Sequence, residues 1–313
     1  MPSSGSDHRN VLVTGATGYI GGRLIPLLEA GGMNVRCLAR KPDKLRARVS
    51  GTTEIVQGDV LDARSLDQAL KGIHTAYYLV HLMAGSKDFE KEDRQAATNF
   101  ADAASKAGIQ RTIYMGGLGD ETAADLSPHL RSRHEVGRIL RQSGVETIEL
   151  RASVVIGAGS LSFELIKSLT DRLPVMICPR WLDTLTQPIA VDDMLAYLIA
   201  AKDLPSDQSR IFEVGGSDVV PYGDLVREYA KQKGLRRWLI SVPLLTPSLS
   251  SLWLTLVTPT AFTVAKHLIE GLRNPTVVTD QKALNAFAVH PVGIEAAVAH
   301  ALRGPHGLND SVR

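Results

Sequence analysis

Val11-Leu12-Val13-Thr14-Gly15-Ala16-Thr17-Gly18-Tyr19-Ile20-Gly21-Gly22 is the stretch that decides the fold of this chain. A short apolar strand runs into a glycine-punctuated turn, and the turn runs into an apolar helix predicted from Ile20 to Ala30. A bound diphosphate needs that order. Gly15 permits the tight turn, Gly18 lets the backbone approach phosphate oxygens, and Gly21 lets helix and strand pack closely. The helix N-terminus then offers unpaired N–H groups and a partial positive charge to the anion. The expected diphosphate cradle is therefore Gly15, Thr17, Gly18, Tyr19, Ile20 and Gly21. A glycine triplet spaced G-x-x-G-x-x-G also serves plain turns, so a βα turn that binds nothing stands beside this reading.

The 313 residues allow one large or two unequal domains. The hydrophobic and charged fractions, 44% and 22%, are those of an ordinary globular protein. A net charge of +2 supplies no broad field for nucleic acid, which is not expected as a partner. Cys37 and Cys178 are too few for a disulfide framework and read as reduced core residues. Met1 to Asn10 are small and polar with no apolar run, which points to the cytoplasm. Trp238 to Ala265 carry no charge over a length that could span a bilayer. Pro243, Pro247 and Pro259 and the recurring hydroxyls argue instead for a strand at Leu239–Val242, a broken loop and two apolar helices. The lesser reading makes 243–265 a contact for a membrane surface or a protein partner.

Working outward, strands are predicted at Asn10–Val13, Asn34–Ala39, Glu54–Gln57, Ala76–Val80, Thr112–Met115 and Thr147–Leu150. Helical patterns lie between them at Gly21–Ala30, Ala63–Lys71, Phe89–Ala107 and Pro128–Ser143. Short, nearly continuous apolar strands alternating with amphipathic helices mean an α/β fold with a doubly wound parallel sheet. Asp62 and Ser127 are expected to cap helices, and Gly108 and Gly144 to end them. Beyond Arg151 the alternation loosens. The expected division is a dinucleotide-binding domain at 10–158 and a smaller substrate lobe at 159–313, with 184–201 returning to the first domain.

The second strand ends in Arg40-Lys41, where an NAD-selective site would carry an acid for the ribose 2′-hydroxyl. An arginine there suits a 2′-phosphate, and Arg36, Lys44, Arg46 and Arg48 add basic charge nearby. The expected cofactor is NADP, with NAD possible, and the bland alternative is a solvated basic helix start. Tyr77-Tyr78-Leu79-Val80-His81 ends the fourth strand and is expected to run beneath the cofactor, with Tyr78 at the site. The histidines show no metal-ligand spacing, and no G-x-S-x-G elbow supports hydrolysis.

The glycine spacing resembles the extended and atypical branches of the short-chain dehydrogenase/reductase superfamily. Glu149-Leu150-Arg151-Ala152-Ser153-Val154-Val155-Ile156-Gly157-Ala158-Gly159 is similar to that group's loop from cofactor to substrate. Pro188-Ile189-Ala190-Val191-Asp192-Asp193-Met194 is similar to a segment that opens a helix beside the sheet, with Asp192 as its cap. The basic second strand and the H-x-x-S-R helix look most like the NmrA-like group. The resemblance implies adenine recognition at Gly58-Asp59-Val60 and a structural asparagine at Asn99. It also implies a Tyr-x-x-x-Lys pair, but here His129 and Arg133 stand at those positions, and Gly116-Gly117 stand where a Ser or Thr would be.

His129 could supply a proton and Arg133 could hold ribose hydroxyls. A cation about 6 Å away at an effective dielectric of about 20 costs roughly 3 kcal/mol, which would keep His129 neutral near pH 7. The expectation is a hydride-transferring oxidoreductase acting on a small, partly apolar substrate near His81, Gly116 and Gly157. The competing expectation is a non-catalytic cofactor sensor or assembly subunit. A transient-cofactor epimerase or isomerase is a third reading, and the missing Tyr counts against it too.

Overall fold

Val11 and Val13 point to one side of a strand and Leu12 to the other, so β1 (Asn10–Val13) needs an apolar layer on each face. It has both. The computed structural model describes residues 7–82, 88–242 and 272–304. In it β1 lies between two parallel neighbours, β2 (Asn34–Ala39) and β4 (Thr75–Tyr78). β3 (Glu54–Gln57), β5 (Arg111–Gly117), β6 (Glu146–Ala152) and β7 (Arg210–Val214) complete a sheet of seven parallel strands in the order β7-β6-β5-β4-β1-β2-β3.

Val11 and Val13 pack with Leu24, Ile25 and Leu28 of α1 (Tyr19–Ala30) and with Met194 and Leu198 of α7 (Val191–Ala201). On the other face Leu12 meets three helices. These are α3 (Ala63–Leu70), α4 (Phe89–Ala107) and α5 (Pro128–Arg141), which contribute Leu66, Phe100 and Val136. Asp62 accepts from Arg64 N–H and Ser127 from Leu130 N–H, so both N-caps form as expected. Gly108 ends α4 at φ 72°. Asp192 is not a cap. Residues 189–190 pair as strand with 155–156, so α7 starts directly after Ala190 with no side-chain cap. Asp192 instead adds negative charge to the first turn, where the helix dipole favours it.

The smaller lobe gathers α6 (Leu161–Arg172), α8 (Tyr222–Gln232) and α10 (Ile294–Arg303) around Phe163, Leu225, Tyr229 and Val298. The strands Val175–Pro179 and Trp238–Val242 pair in parallel beside it. Met176 and Cys178 face inward, while Val175, Ile177, Trp238 and Ile240 share an exposed outer face. Residues beyond 201 also reach the main sheet. β7 is its edge strand, and Phe287, just after α9 (Lys282–Ala286), packs against Tyr197 and Phe212. The apolar helices expected within 243–265 lie outside the described residues. Among the described residues no helix is long and apolar enough to cross a membrane.

His134 and Arg141 of α5 turn inward rather than to solvent. His134 is buried, and Arg141 pairs with Glu149, a fully buried carboxylate on β6 that also takes Arg151 Nε at 2.7 Å. Gly137 makes the room: a Cβ there would stand 2.4 Å from Glu149 Oε2. Arg138, on the same helix, is exposed. Burial, with Arg151 adding to it against the opposing Glu121, lowers the His134 pKa from 6.5 to about 4. The unfolded chain therefore binds this proton first, and stability falls as pH drops from about 6.5 to about 4. At about 1.4 kcal/mol per pH unit the loss is on the order of 3 kcal/mol. Urea midpoints measured across this pH range for wild type and His134→Leu should show a shallower acid limb in the variant.

Candidate active site

All seven strands end on the carboxyl edge of the sheet, and β1 and β4 flank the point where strand order reverses. Thr14 fixes that point. Its hydroxyl donates to Tyr77 O at 3.0 Å and accepts from Leu79 N–H at 3.3 Å, so β1 and β4 leave the sheet together. Gly15 then turns in the left-handed region, φ 69°, with Leu79 O only 2.6 Å from where a Cβ would be. Gly18 caps α1 with no side-chain bond, and the first turn holds no acidic residue. Thr17 and Gly18 are exposed, whereas Tyr19 and Ile20 are half-buried. Gly21 is buried against the Gly15 carbonyl. An uncapped helix start behind exposed backbone fits a diphosphate.

Arg40 and Lys41 stand exposed at the end of β2. Arg48 reaches the same region from beyond the short helix α2 (Asp43–Arg46), its Nη1 at 3.5 Å from Thr17 O. Arg36 does not join them. Its guanidinium pairs with Glu54 at 2.6 Å and donates to Ala69 O and Lys71 O at the far end of α3. It lies four positions before Arg40, roughly 13 Å along the strand, opposite the first residue of β3, which takes it toward the amino edge of the sheet.

Asp59 is half-buried and accepts from Leu61 N–H at 3.0 Å, and Val60 is buried. Asn99 of α4 donates to Val60 O at 3.1 Å and Leu61 O at 3.0 Å, which anchors the loop that presents Asp59. Tyr78 has no such place. Its ring is fully buried between Phe100 and Tyr114, with centroids 4.9 and 6.0 Å away, so its side chain is core. Alternation along β4 explains this: Tyr77 and Tyr78 take opposite faces, and both faces are covered.

His129 lies in the first turn of α5 and His81 just beyond β4. His81 Nε2 is 3.0 Å from His129 Nδ1, and His81 Nδ1 is 2.7 Å from Asp93 Oδ2 of α4. Asp93 is buried, and it also accepts from Ser132 Oγ at 2.8 Å and Leu82 N–H at 2.9 Å. Burial raises its pKa, but the His81 bond and charge and the other two donors outweigh burial, and the net shift is downward. Arg133 turns away from the two imidazoles. It donates to Met115 O on β5, and its guanidinium carbon lies 5.3 Å from the Tyr114 ring centroid. Gly116 and Gly117 are buried and bring no hydroxyl. Gly157 packs on Tyr19, where a Cβ would stand 2.2 Å from the phenol oxygen, and Arg23 donates to Ala158 O at 2.6 Å.

Sequence reasoning missed Asp93, because a single acid on a charged amphipathic helix looks solvated. Its recoverable signal is burial on the α4 face that carries Phe89, Ala96, Ala97 and Phe100. A depression of about 840 Å³ lined by His8, His74, Arg111 and Asp203 lies at the opposite, amino edge of the strands.

Residues 15–157 match the family described as NAD(P)H-binding. The chain carries an NAD(P)H-binding domain. A (4-alkanoyl-5-oxo-2,5-dihydrofuran-3-yl)methyl phosphate reductase of Streptomyces griseus is 27% identical over 217 residues, 67% of this chain and 69% of that one. A ceramide reductase of Caulobacter vibrioides is 26% identical over 276 residues, 83% of this chain and 84% of that one. An NADPH-dependent quinone oxidoreductase of Escherichia coli, solved with NADPH, superposes with a TM-score of 0.71 at 18% identity, covering 93% of this chain and 99% of that one. These likenesses agree with the atypical short-chain dehydrogenase/reductase resemblance, and the strand order is that of a doubly wound dinucleotide-binding sheet.

Gly18 sits in extended backbone at φ −74°, where a side chain meets only the Gly15 carbonyl oxygen, at 3.1 Å from a Cβ. Gly18→Val should therefore keep its melting temperature within a few degrees while weakening NADPH binding at least about tenfold, because its methyls occupy the phosphate approach. Paired thermal melts and NADPH fluorescence titrations check both halves.

Proposed function

We propose that this protein is an NADPH-dependent reductase of a carbonyl, or a similarly polarised double bond, in a small, partly apolar substrate. The observation that carries the reading is the meeting of the glycine loop and the His81–His129 pair at one sheet edge. Gly15 touches Leu79, and His81 follows Leu79 by two residues. A bound reduced nicotinamide supplies the hydride. The chain's own work is to hold the diphosphate on the α1 N-terminus, place the substrate beside His129 and deliver a proton to the substrate oxygen. Arg133 of α5, held on Met115 O of β5, borders the same edge. The reductase names of the Streptomyces and Caulobacter relatives support a reductive direction.

Arg40 and Lys41, with Arg48 beside the glycine loop, favour the 2′-phosphorylated cofactor. Cys37 and Cys178 are buried and free, which suits the reducing cytoplasm. The missing hydroxyl at Gly116-Gly117 favours the second reading, a cofactor-binding sensor without turnover.

Nicotinamide absorbance followed with NADPH and a panel of quinones, enals and ketones separates the two readings. Tight NADPH binding with no oxidation of it by any substrate supports the sensor. In the reductase, His129→Asn should lower kcat by about 10²-fold and leave NADPH affinity within about twofold. Arg40→Asp should move the ratio of NADPH to NADH affinity toward NADH by at least tenfold; an unchanged ratio would remove Arg40 as the reader of the 2′ position.

A further inference from the structure

We propose that Asp93, His81 and His129 form one proton-holding unit, in which two hydrogen-bonded imidazoles share a single added proton against a buried carboxylate and release it through His129. The inference rests on the reductase reading for its destination, the oxygen of a reduced carbonyl. The unit itself rests on geometry alone.

Hydrogen-bond chemistry fixes its states. Asp93 Oδ2 accepts, so His81 Nδ1 carries a hydrogen across the 2.7 Å contact. The 3.0 Å contact between His81 Nε2 and His129 Nδ1 needs one hydrogen between two ring nitrogens. In the neutral pair that hydrogen belongs to His129 Nδ1, and His129 Nε2 is then an acceptor. With one more proton, His81 becomes the imidazolium. It donates to Asp93 on one side and to His129 Nδ1 on the other, and His129 Nε2 becomes a donor. The protonation of His129 Nε2 is thus tied to the charge of the pair, and that charge rests beside Asp93.

This arrangement removes the objection raised by Arg133. The added charge need not reside on His129, and the Arg133 guanidinium is committed to Met115 O. Among the described residues, Asp93 of α4 faces the pair directly, and Arg133 of α5 lies one helical turn beyond His129 with its guanidinium on Met115 O. Below them are the Tyr78 and Tyr114 phenols of β4 and β5, both raised by burial and therefore neutral. Phe89 sets its ring at 88° to His81, with centroids 6.1 Å apart. Asp88 precedes it, and Arg131 and Glu90 pair with each other at 2.9 Å on the exposed side. Asp93 is the buried acid among these, and Ser132 and Leu82 N–H hold its two oxygens in place.

The step balances. As the carbonyl carbon accepts the hydride from the reduced nicotinamide, the C=O π pair moves to oxygen and takes the proton from His129 Nε2. The bridging hydrogen passes from His81 to His129 Nδ1, and the pair returns to neutral with Asp93 ionised throughout. One proton from solvent restores the starting state. His129 is the catalytic residue in this scheme, and His81 and Asp93 are positioning residues.

Imidazole ¹⁵N–¹H NMR on the full chain without cofactor tests the unit directly. The neutral protein should show Nδ1–H tautomers for both His81 and His129, and one shared protonation step. Asp93→Asn should lower the midpoint of that step by about one pH unit or more. Because Asp93 also holds Leu82 N–H and Ser132, His81→Gln is the second variant. It should leave NADPH affinity within about twofold, shift His129 to a lower midpoint, and move the acid–base limb of the kcat profile with it. Independent titration of the two rings, or midpoints unmoved in both variants, overturns the unit. NADPH binding without turnover on any substrate, with coupled titration intact, would instead remove the reductase reading and leave the unit standing.

Discussion

Where Gly21 crosses Gly15, a Cβ on Gly21 would stand 2.4 Å from the Gly15 carbonyl oxygen. Backbone meets backbone there, with nothing between. The contact sets how deeply α1 seats against β1, and therefore where its uncapped N-terminus points. The left-handed Gly15 and the Thr14 bonds to β4 lock the same corner from the other side. Leu79, His81 and then His129 are positioned from that corner. A side chain at either glycine would push the helix outward and move its uncapped N-terminus relative to the His81–His129 pair.

Most of the fold is readable from residue order, because local and global signals agree. α4 runs from Phe89 to Ala107, the bounds its amphipathic pattern implies, and β1, β2 and β3 keep their expected limits. β5 and β6 run longer than expected, because sheet pairing carries Gly116, Gly117 and Arg151 into the ladder. The strand Val175–Pro179 is not legible as such. Its partner, Trp238–Val242, lies more than fifty residues away, and only that pairing makes it a strand. β7 returns to the main sheet for the same kind of reason: its apolar residues fit either domain until β6 is in place beside them.

The site divides in the same way. The glycine loop is legible because its chemistry demands particular backbone freedom at particular spacing. The charged residues are not, because their meaning depends on what faces them. Glu149 sits in an apolar strand pattern yet is wholly buried between Arg141 and Arg151, and Gly137 is there to admit it. Asp93 lies on a helix rich in acids and bases, and its burial comes from packing against β4 and α5. Arg36 has the right charge in the wrong place, turned toward the end of α3. Tyr78 shows the converse, a residue at the expected strand end whose side chain the core has already claimed.

The first helix also grips the loop that leads to the smaller lobe. Tyr19 presses its phenol against Gly157, where it meets no hydrogen-bond partner among the described residues, and Arg23 bonds Ala158 O. One rigid rod therefore carries the anion cradle at its tip and the entrance of the second lobe along its flank. Any displacement of α1 at its tip is thereby a displacement at residues 157–158, so the geometry of the loop into the second lobe is set by the seating of the first helix.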